Sequence, residues 1–263
     1  MPETAPPATL SSPSWTPSLP ELRDAARALR AGHFRRPTLA GWAPEPAERA
    51  VLVVGCGGGV GATTVAVAIA TARPPSRVVE CCDADRSGLV AASFTELGET
   101  DDGWLRGRRG DVLLERRAPH DRTTEPRPPG RAADCPVTVL DLGADPRWAD
   151  NPRGLADLPA YAPVVLVTRV SLPGLRRLEA TLLALPAADV AAAAILGPPR
   201  RRWPKSLIHS RGPRTRDLED DGRLVVIAAD WHLALHGLDA APLPSHCLSA
   251  GRVLADLALP ENP

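Results

Sequence analysis

The sequence predicts an α/β protein built on a mostly parallel central sheet with helices on both faces. Three observations carry that prediction. Short apolar runs alternate with helical stretches from Val51 to Leu257, the pattern of successive strand–helix units. A glycine-rich turn from Gly55 to Gly61 separates the first apolar run from the first helical stretch, an order that points backbone N–H groups at an anion. Apolar residues make up 44% of the chain, yet only two Phe and one Tyr are present. Val, Leu and Ala must therefore fill the core, which suits buried parallel strands under alanine-rich helices.

The elements follow in order. Residues 1–17 are rich in Pro, Ser and Thr and are expected to be disordered. A short helix is expected over 18–31, because Ser18 and Glu21 have capping-box spacing, Pro20 suits a first turn, and Leu22, Ala25, Ala26 and Leu29 share a face. The stretch 32–50 holds Pro37, Pro44 and Pro46 and reads as a linker, so residues 1–50 form an arm and 51–263 the folded domain. Val51-Leu-Val-Val is the first strand, and Ala62 to Ala72 a helix stopped by Pro74-Pro75. Arg77-Val-Val-Glu-Cys-Cys is the second strand, closed by Asp83-Ala-Asp85. Residues 95–134 read as irregular, apart from a short strand at Asp111-Val-Leu-Leu-Glu. Further strands are expected at Val137-Thr-Val-Leu, Pro163-Val-Val-Leu-Val-Thr, Val190-Ala-Ala-Ala-Ala-Ile-Leu and Arg223-Leu-Val-Val-Ile-Ala. The third of these is equally compatible with helix from its alanines. Helices are expected over 173–185 and from Ala250 to Leu257.

Composition narrows the functions available. The 31 basic and 31 acidic residues balance, so no global field draws the chain to nucleic acid or to an anionic membrane. Lys205 is the only lysine, and chemistry that needs a lysine elsewhere is excluded. The cysteines Cys56, Cys81, Cys82, Cys135 and Cys247 form no Cys-x-x-Cys pair and read as small buried hydrophobes in a reducing cytoplasm. No apolar run approaches the roughly 18 residues of a spanning helix. The first residues lack the charge and apolar block of a secretory signal, so a cytoplasmic protein is expected.

The stretch Gly55-Cys-Gly-Gly-Gly-Val-Gly-Ala-Thr-Thr64 is the most informative. A Walker A loop needs Gly-x-x-x-x-Gly-Lys-Ser/Thr. Gly61 and Thr63 fit it, while Cys56 stands for the first glycine and Ala62 for the lysine. Gly58-Gly-Val-Gly-Ala-Thr-Thr64 nevertheless resembles the Lys-Gly-Gly-Val-Gly-Lys-Thr-Thr loop of the ParA/MinD family of P-loop ATPases. Three further stretches resemble that family in the same order: Cys82-Asp83-Ala-Asp85-Arg-Ser-Gly88, Leu140-Asp141-Leu-Gly143, and Val226-Ile-Ala-Ala-Asp230 with Gly237 and Pro242. Together they cover the domain and leave the first 50 residues outside. The chain is most similar to degenerate members of the septum-positioning and pilus-assembly branch.

The resemblance implies a nucleotide site. Gly58, Gly59, Val60, Gly61, Ala62, Thr63, Thr64 and Asp85 would meet ATP or ADP, Thr63 and Asp141 would hold Mg2+, and Asp83 would stand at the catalytic position. Two departures bear on activity. Gly57 replaces the signature lysine that reaches a dimer partner's phosphates, and Ala62 replaces the Walker lysine. Losing two charge-assisted contacts of roughly 1.5–3 kcal/mol each would weaken a micromolar binder to around millimolar. Hydrolysis suffers more, since a cation on the transferring phosphoryl group is worth roughly 10³–10⁵ in rate. A pseudo-ATPase scaffold or positioning factor in septum placement, pilus or secretion assembly, or DNA partition is therefore expected, with protein partners and a homodimer in view. The alternative is an active ATPase in which an arginine replaces lysine, with Arg86, Arg106, Arg108 and Arg109 as candidates. A second alternative is nonspecific DNA binding through Arg200, Arg201, Arg202 and Lys205, although Asp217, Glu219, Asp220 and Asp221 follow closely. Asp230 reads as a loop or helix-cap residue and is not assigned a catalytic role. The acidic, proline-stopped C-terminus lacks a basic amphipathic membrane helix.

Overall fold

The computed structural model describes residues 18–19, 48–82, 87–117, 134–144, 162–185 and 189–260. Contacts divide the chain into residues 1–36 and 37–263. In the first unit only Ser18 and Leu19 are described, so the helix expected over 18–31 lies almost wholly outside the described residues.

The second unit runs β1 (Arg49–Gly55), α1 (Ala62–Thr71), β2 (Ser76–Glu80), α2 (Leu89–Ala92), β3 (Thr95–Glu99), β4 (Trp104–Arg109), β5 (Val112–Arg117), β6 (Val137–Asp141) and β7 (Val164–Arg169). It continues through α3 (Leu172–Ala184), β8 (Val190–Gly197), a 3₁₀ turn (Arg200–Arg202), α4 (Lys205–His209), α5 (Pro213–Asp220), β9 (Leu224–Ala228), α6 (Trp231–His236) and α7 (Ser245–Ala258). The nine strands form one sheet in the order β3-β4-β5-β2-β6-β1-β7-β8-β9. Every pairing from β5 to β9 is parallel, as the alternation of strands and helices requires.

β1 lies centrally, between β6 and β7, and is buried on both faces. Its side chains alternate across the sheet. Val51 and Val53 meet α1 and α7 on one face, while Leu52 and Val54 meet Leu175, Leu178 and Leu182 of α3 on the other. α7 crosses α1 very closely. A Cβ on Gly251 would sit 2.4 Å from the Ala68 carbonyl oxygen, so only glycine permits that approach. The alanine-rich run at 190–197 is a strand, because both of its neighbours are strands in parallel register.

Residues 95–117 depart from the irregular structure expected there. β3 and β4 pair antiparallel, as do β4 and β5, extending the parallel sheet at one edge. The Arg and Glu residues that disguised these strands are exposed along β3 or engaged in ion pairs, including Arg116 with Glu96. Gly110 has φ 58° in the tight turn between β4 and β5, so Gly110-Asp111 is the hairpin signal that the charged flanks obscured.

A buried charge network ties the amino ends of the strands. Arg77 is fully buried; it donates to Thr138 Oγ1 at 2.7 Å, to Glu115 at 3.0 Å and to Glu48 at 2.7 Å. Arg106 of β4 closes on the same Glu115 at 2.8 Å. The network joins β2, β4, β5 and β6 with the residue preceding β1. Arg77, Thr138 and Glu48 lie toward the opposite end of the sheet from the glycine loop, where a parallel α/β protein carries its ligand site, and Glu115, level with Val79, lies further along the strands.

Candidate functional site

The glycine loop leaves the carboxyl end of β1 and is fixed at its base. Gly55 N donates to Gly143 O at 2.7 Å and Cys56 N to Val167 O at 2.8 Å, which holds the loop against the ends of β6 and β7. Beyond that anchor, Gly59 and Gly61 adopt φ of 64° and 94°, conformations that favour glycine. Gly61 caps α1 without a side-chain hydrogen bond, and the first helical bond runs from Val65 N to Gly61 O at 3.0 Å. Among the described residues, no backbone N–H from Gly57 to Thr64 donates to a backbone carbonyl. The loop with Gly58, Gly59, Val60, Gly61, Ala62, Thr63 and Thr64 thus presents unpaired donors at a helix N-terminus.

Two acids stand beside it. Asp141 ends β6 and is fully buried. Its Oδ1 accepts from Gly143 N at 3.0 Å, whereas Oδ2 has no hydrogen-bond partner. Burial pushes its carboxyl up to about 6, opposed by the Thr63 hydroxyl and the Gly143 N–H and reinforced by the nearby charge of Glu80. The structure therefore brings Thr63 and Asp141 together. Glu80, which the sequence reading did not single out, pairs in register with Asp141 from the end of β2. Its Oε2 accepts from Arg117 N at 3.0 Å, its Oε1 is buried without a partner, and burial raises its carboxyl. An acid closing the apolar run Arg77-Val-Val-Glu80 was the available signal. Asp83 and Asp85 lie outside the described residues, as does Arg86.

On the other side of α1, a cavity of about 250 Å³ opens between the start of that helix and the ends of β8 and β9. Gly61, Thr64, Val65, Arg169, Leu196 and Asp230 contribute to its lining. Leu196 presses so closely on Gly61 that a Cβ there would meet its Cδ2 at 2.6 Å. Asp230 caps α6, accepting from Leu233 N at 2.9 Å, the structural role expected of it. α3 places Arg177 beside Gly57, where an added Cβ would lie 2.9 Å from Nη1. Sequence spacing gave no sign of that contact, which spans two separate elements.

Several of the other candidate cations are occupied. Arg106 pairs with Glu115, and Arg109 donates to the carbonyls of Ala92, Asp239 and Ala241. Arg108 is exposed on β4. In the second basic stretch, Arg200 pairs with Glu219 at 2.7 Å and stacks 4.7 Å from the Trp203 ring. Arg211 shares the same Glu219, so the acids following this stretch neutralise part of it. Arg201, Arg202 and Lys205 remain exposed. All five cysteines are free and buried, and burial pushes the Cys56 thiol up to about 12. No helix among the described residues is long and apolar enough to cross a membrane.

No protein-family model matches the chain, and no curated protein matches it. Among solved structures, it is similar to the MinC:MinD cell division protein complex of Aquifex aeolicus, with 13% identity over 82% of this chain and 99% of that one and a TM-score of 0.54. It is also similar to a protein described as a plasmid partition protein from Borrelia burgdorferi B31, bound to AMPPNP, with 12% identity over 80% of this chain and 97% of that one and a TM-score of 0.51. The parallel sheet, with a glycine loop between β1 and α1, is a P-loop NTPase fold. Within that class the fold is the MinD/ParA type.

Proposed function

We propose that this chain is a nucleotide-binding protein of the MinD/ParA type that acts as a pseudo-ATPase scaffold or positioning factor, in cell division, partition or a related assembly process. One observation carries the reading: the donors of the loop are retained while both lysine positions, Gly57 and Ala62, have no charge. Thr63 and the orphaned Oδ2 of Asp141 fit a magnesium ion that takes its remaining ligands from phosphate and water. Such an ion would neutralise phosphate charge. Asp83 and Asp85, which follow β2 in the sequence, are proposed as further residues of the site. The cavity beside Leu196 would take the base, through apolar contact with that side chain. Similarity to a protein bound to AMPPNP and to a complex between MinC and MinD supports nucleotide and protein partners.

Calorimetry with ATP and ADP in the presence of Mg2+ tests the reading. Dissociation constants between about 0.1 and several millimolar are expected for a site lacking two charge-assisted contacts. ATP turnover should remain at background. Magnesium-dependent turnover abolished by Thr63→Ala and by Asp141→Ala would overturn pseudo-ATPase status and favour the arginine-substituted enzyme.

A further inference from the structure

The phosphate loop lacks a lysine but does not lack a neighbouring cation. Gly57 has no side chain, and the space beside its Cα is filled by the guanidinium of Arg177, with Nη1 2.9 Å from the ideal Cβ position. α3 is held against the loop one turn further along. Thr181 and Arg177 both lie near the buried Cys56 thiol, and each draws its pKa down against the larger effect of burial. Thr181 Oγ1 donates to the Arg177 carbonyl at 2.9 Å, so the residue that anchors the helix lies directly above the one that supplies the cation. Among the described residues the Arg177 guanidinium has no hydrogen bond or ion pair, unlike Arg106, Arg109, Arg200 and Arg211.

A cation beside a donor-lined loop attracts oxyanions, and a guanidinium can grip two phosphate oxygens at once. A second, independent feature of the site points to a ligand. Asp141 Oδ2 is fully buried beside Thr63 with no partner, as expected of a carboxylate that shares a cation with a phosphate. We infer that Arg177 is a phosphate-binding residue of this loop, supplying from α3 the positive charge that Gly57 and Ala62 do not carry. Its ligand is the polyphosphate of a nucleotide. This inference rests on the nucleotide-binding reading and adds to it the residue that makes binding measurable. It also separates binding from turnover. Arg177 approaches Gly57 and leaves the position of Ala62 without charge.

Calorimetry on the full chain tests this, using MgADP and magnesium pyrophosphate as probes and three variants: Arg177→Ala, Arg177→Lys and Arg176→Ala. Loss of one charge-assisted contact should weaken MgADP binding by about 10- to 100-fold in Arg177→Ala. Arg177→Lys, which keeps the charge but not the two-oxygen grip, should recover part of that loss, and Arg176→Ala, on the neighbouring exposed position, should bind as the wild type does. Pyrophosphate should lose affinity in parallel with MgADP if Arg177 meets phosphate, whereas a loss confined to ADP would overturn the inference by placing the residue at the base or ribose. Wild-type affinity in Arg177→Ala would overturn the inference and leave nucleotide binding intact. A wild-type chain that takes up neither probe at millimolar concentration would overturn both. Because Arg177 is exposed, an unchanged unfolding midpoint should accompany each variant.

Discussion

Asp141→Asn is expected to stabilise the ligand-free protein at alkaline pH while removing its response to magnesium. The Asp141 carboxyl is fully buried, and its ordinary value of 3.8 is raised to about 6. The folded state therefore holds this proton more tightly than the unfolded chain does. Stability from this group is fully present below pH 3.8 and is lost as pH rises through 6. The difference corresponds to roughly 3 kcal/mol. An asparagine keeps the acceptor for Gly143 N and removes the buried charge, while its amide nitrogen must find a partner in the Thr63 hydroxyl or go without, at about 1–2 kcal/mol. The variant should thus be more stable than the wild type by about 1–2 kcal/mol at pH 8 and slightly less stable at pH 4. Glu80, raised in the same direction by burial, adds a similar slope to both proteins. Urea unfolding at pH 4, 5, 6, 7 and 8 would measure the difference. A gap between variant and wild type that stays constant within about 0.5 kcal/mol across that range would refute the assignment of an uncompensated buried charge. With saturating MgADP the ranking should reverse, because only the wild type would gain stability by mass action.

Two further substitutions test the frame around the site. Arg77→Met leaves Glu48 and Glu115 buried without their shared cation, and should cost about 3–5 kcal/mol in denaturant unfolding. Adding Glu48→Gln should recover part of that cost. Gly251→Val forces a side chain into the Ala68 carbonyl, which lies only 2.4 Å from the Cβ position. Separation of α7 from α1 should lower stability by about 1–3 kcal/mol, read as a lower unfolding midpoint.

The parts legible in the sequence share a physical basis. β1, β6, β7 and β8 are buried on both faces for most of their length, so each appears as a mainly apolar run at its expected position, and the half-buried edge strand β9 keeps the apolar run Leu224-Val-Val-Ile-Ala. The bend at Gly59 and Gly61 was visible because the loop demands residues that tolerate positive φ. β3 and β4 were not legible, because a solvent-facing edge hairpin keeps Arg and Glu on its surface and gains its order from pairing with β5. Nor were α4 and α5, whose few buried positions, Leu207, Thr215 and Leu218, are sparse among Arg and Pro. At the site, Thr63 and Asp141 were legible from motif order. Glu80 and Arg177 were not, since their places depend on strand register and on helix packing across the fold.

The two ends of the sheet also differ in what they can sense. At the amino ends, Arg77 and its partners form a closed circuit of complementary charges that needs nothing from solvent or ligand. At the carboxyl ends, Glu80 and Asp141 each hold an oxygen with no counterpart. Opening of the amino-end amides should accordingly follow unfolding of the whole sheet and be indifferent to added cation or phosphate. The carboxyl-end strands carry the unbalanced electrostatics, so changes in the ionic environment should register first in hydrogen exchange around β2, β6 and the glycine loop. The sheet is thereby divided along its strands into an inert foundation and a responsive rim.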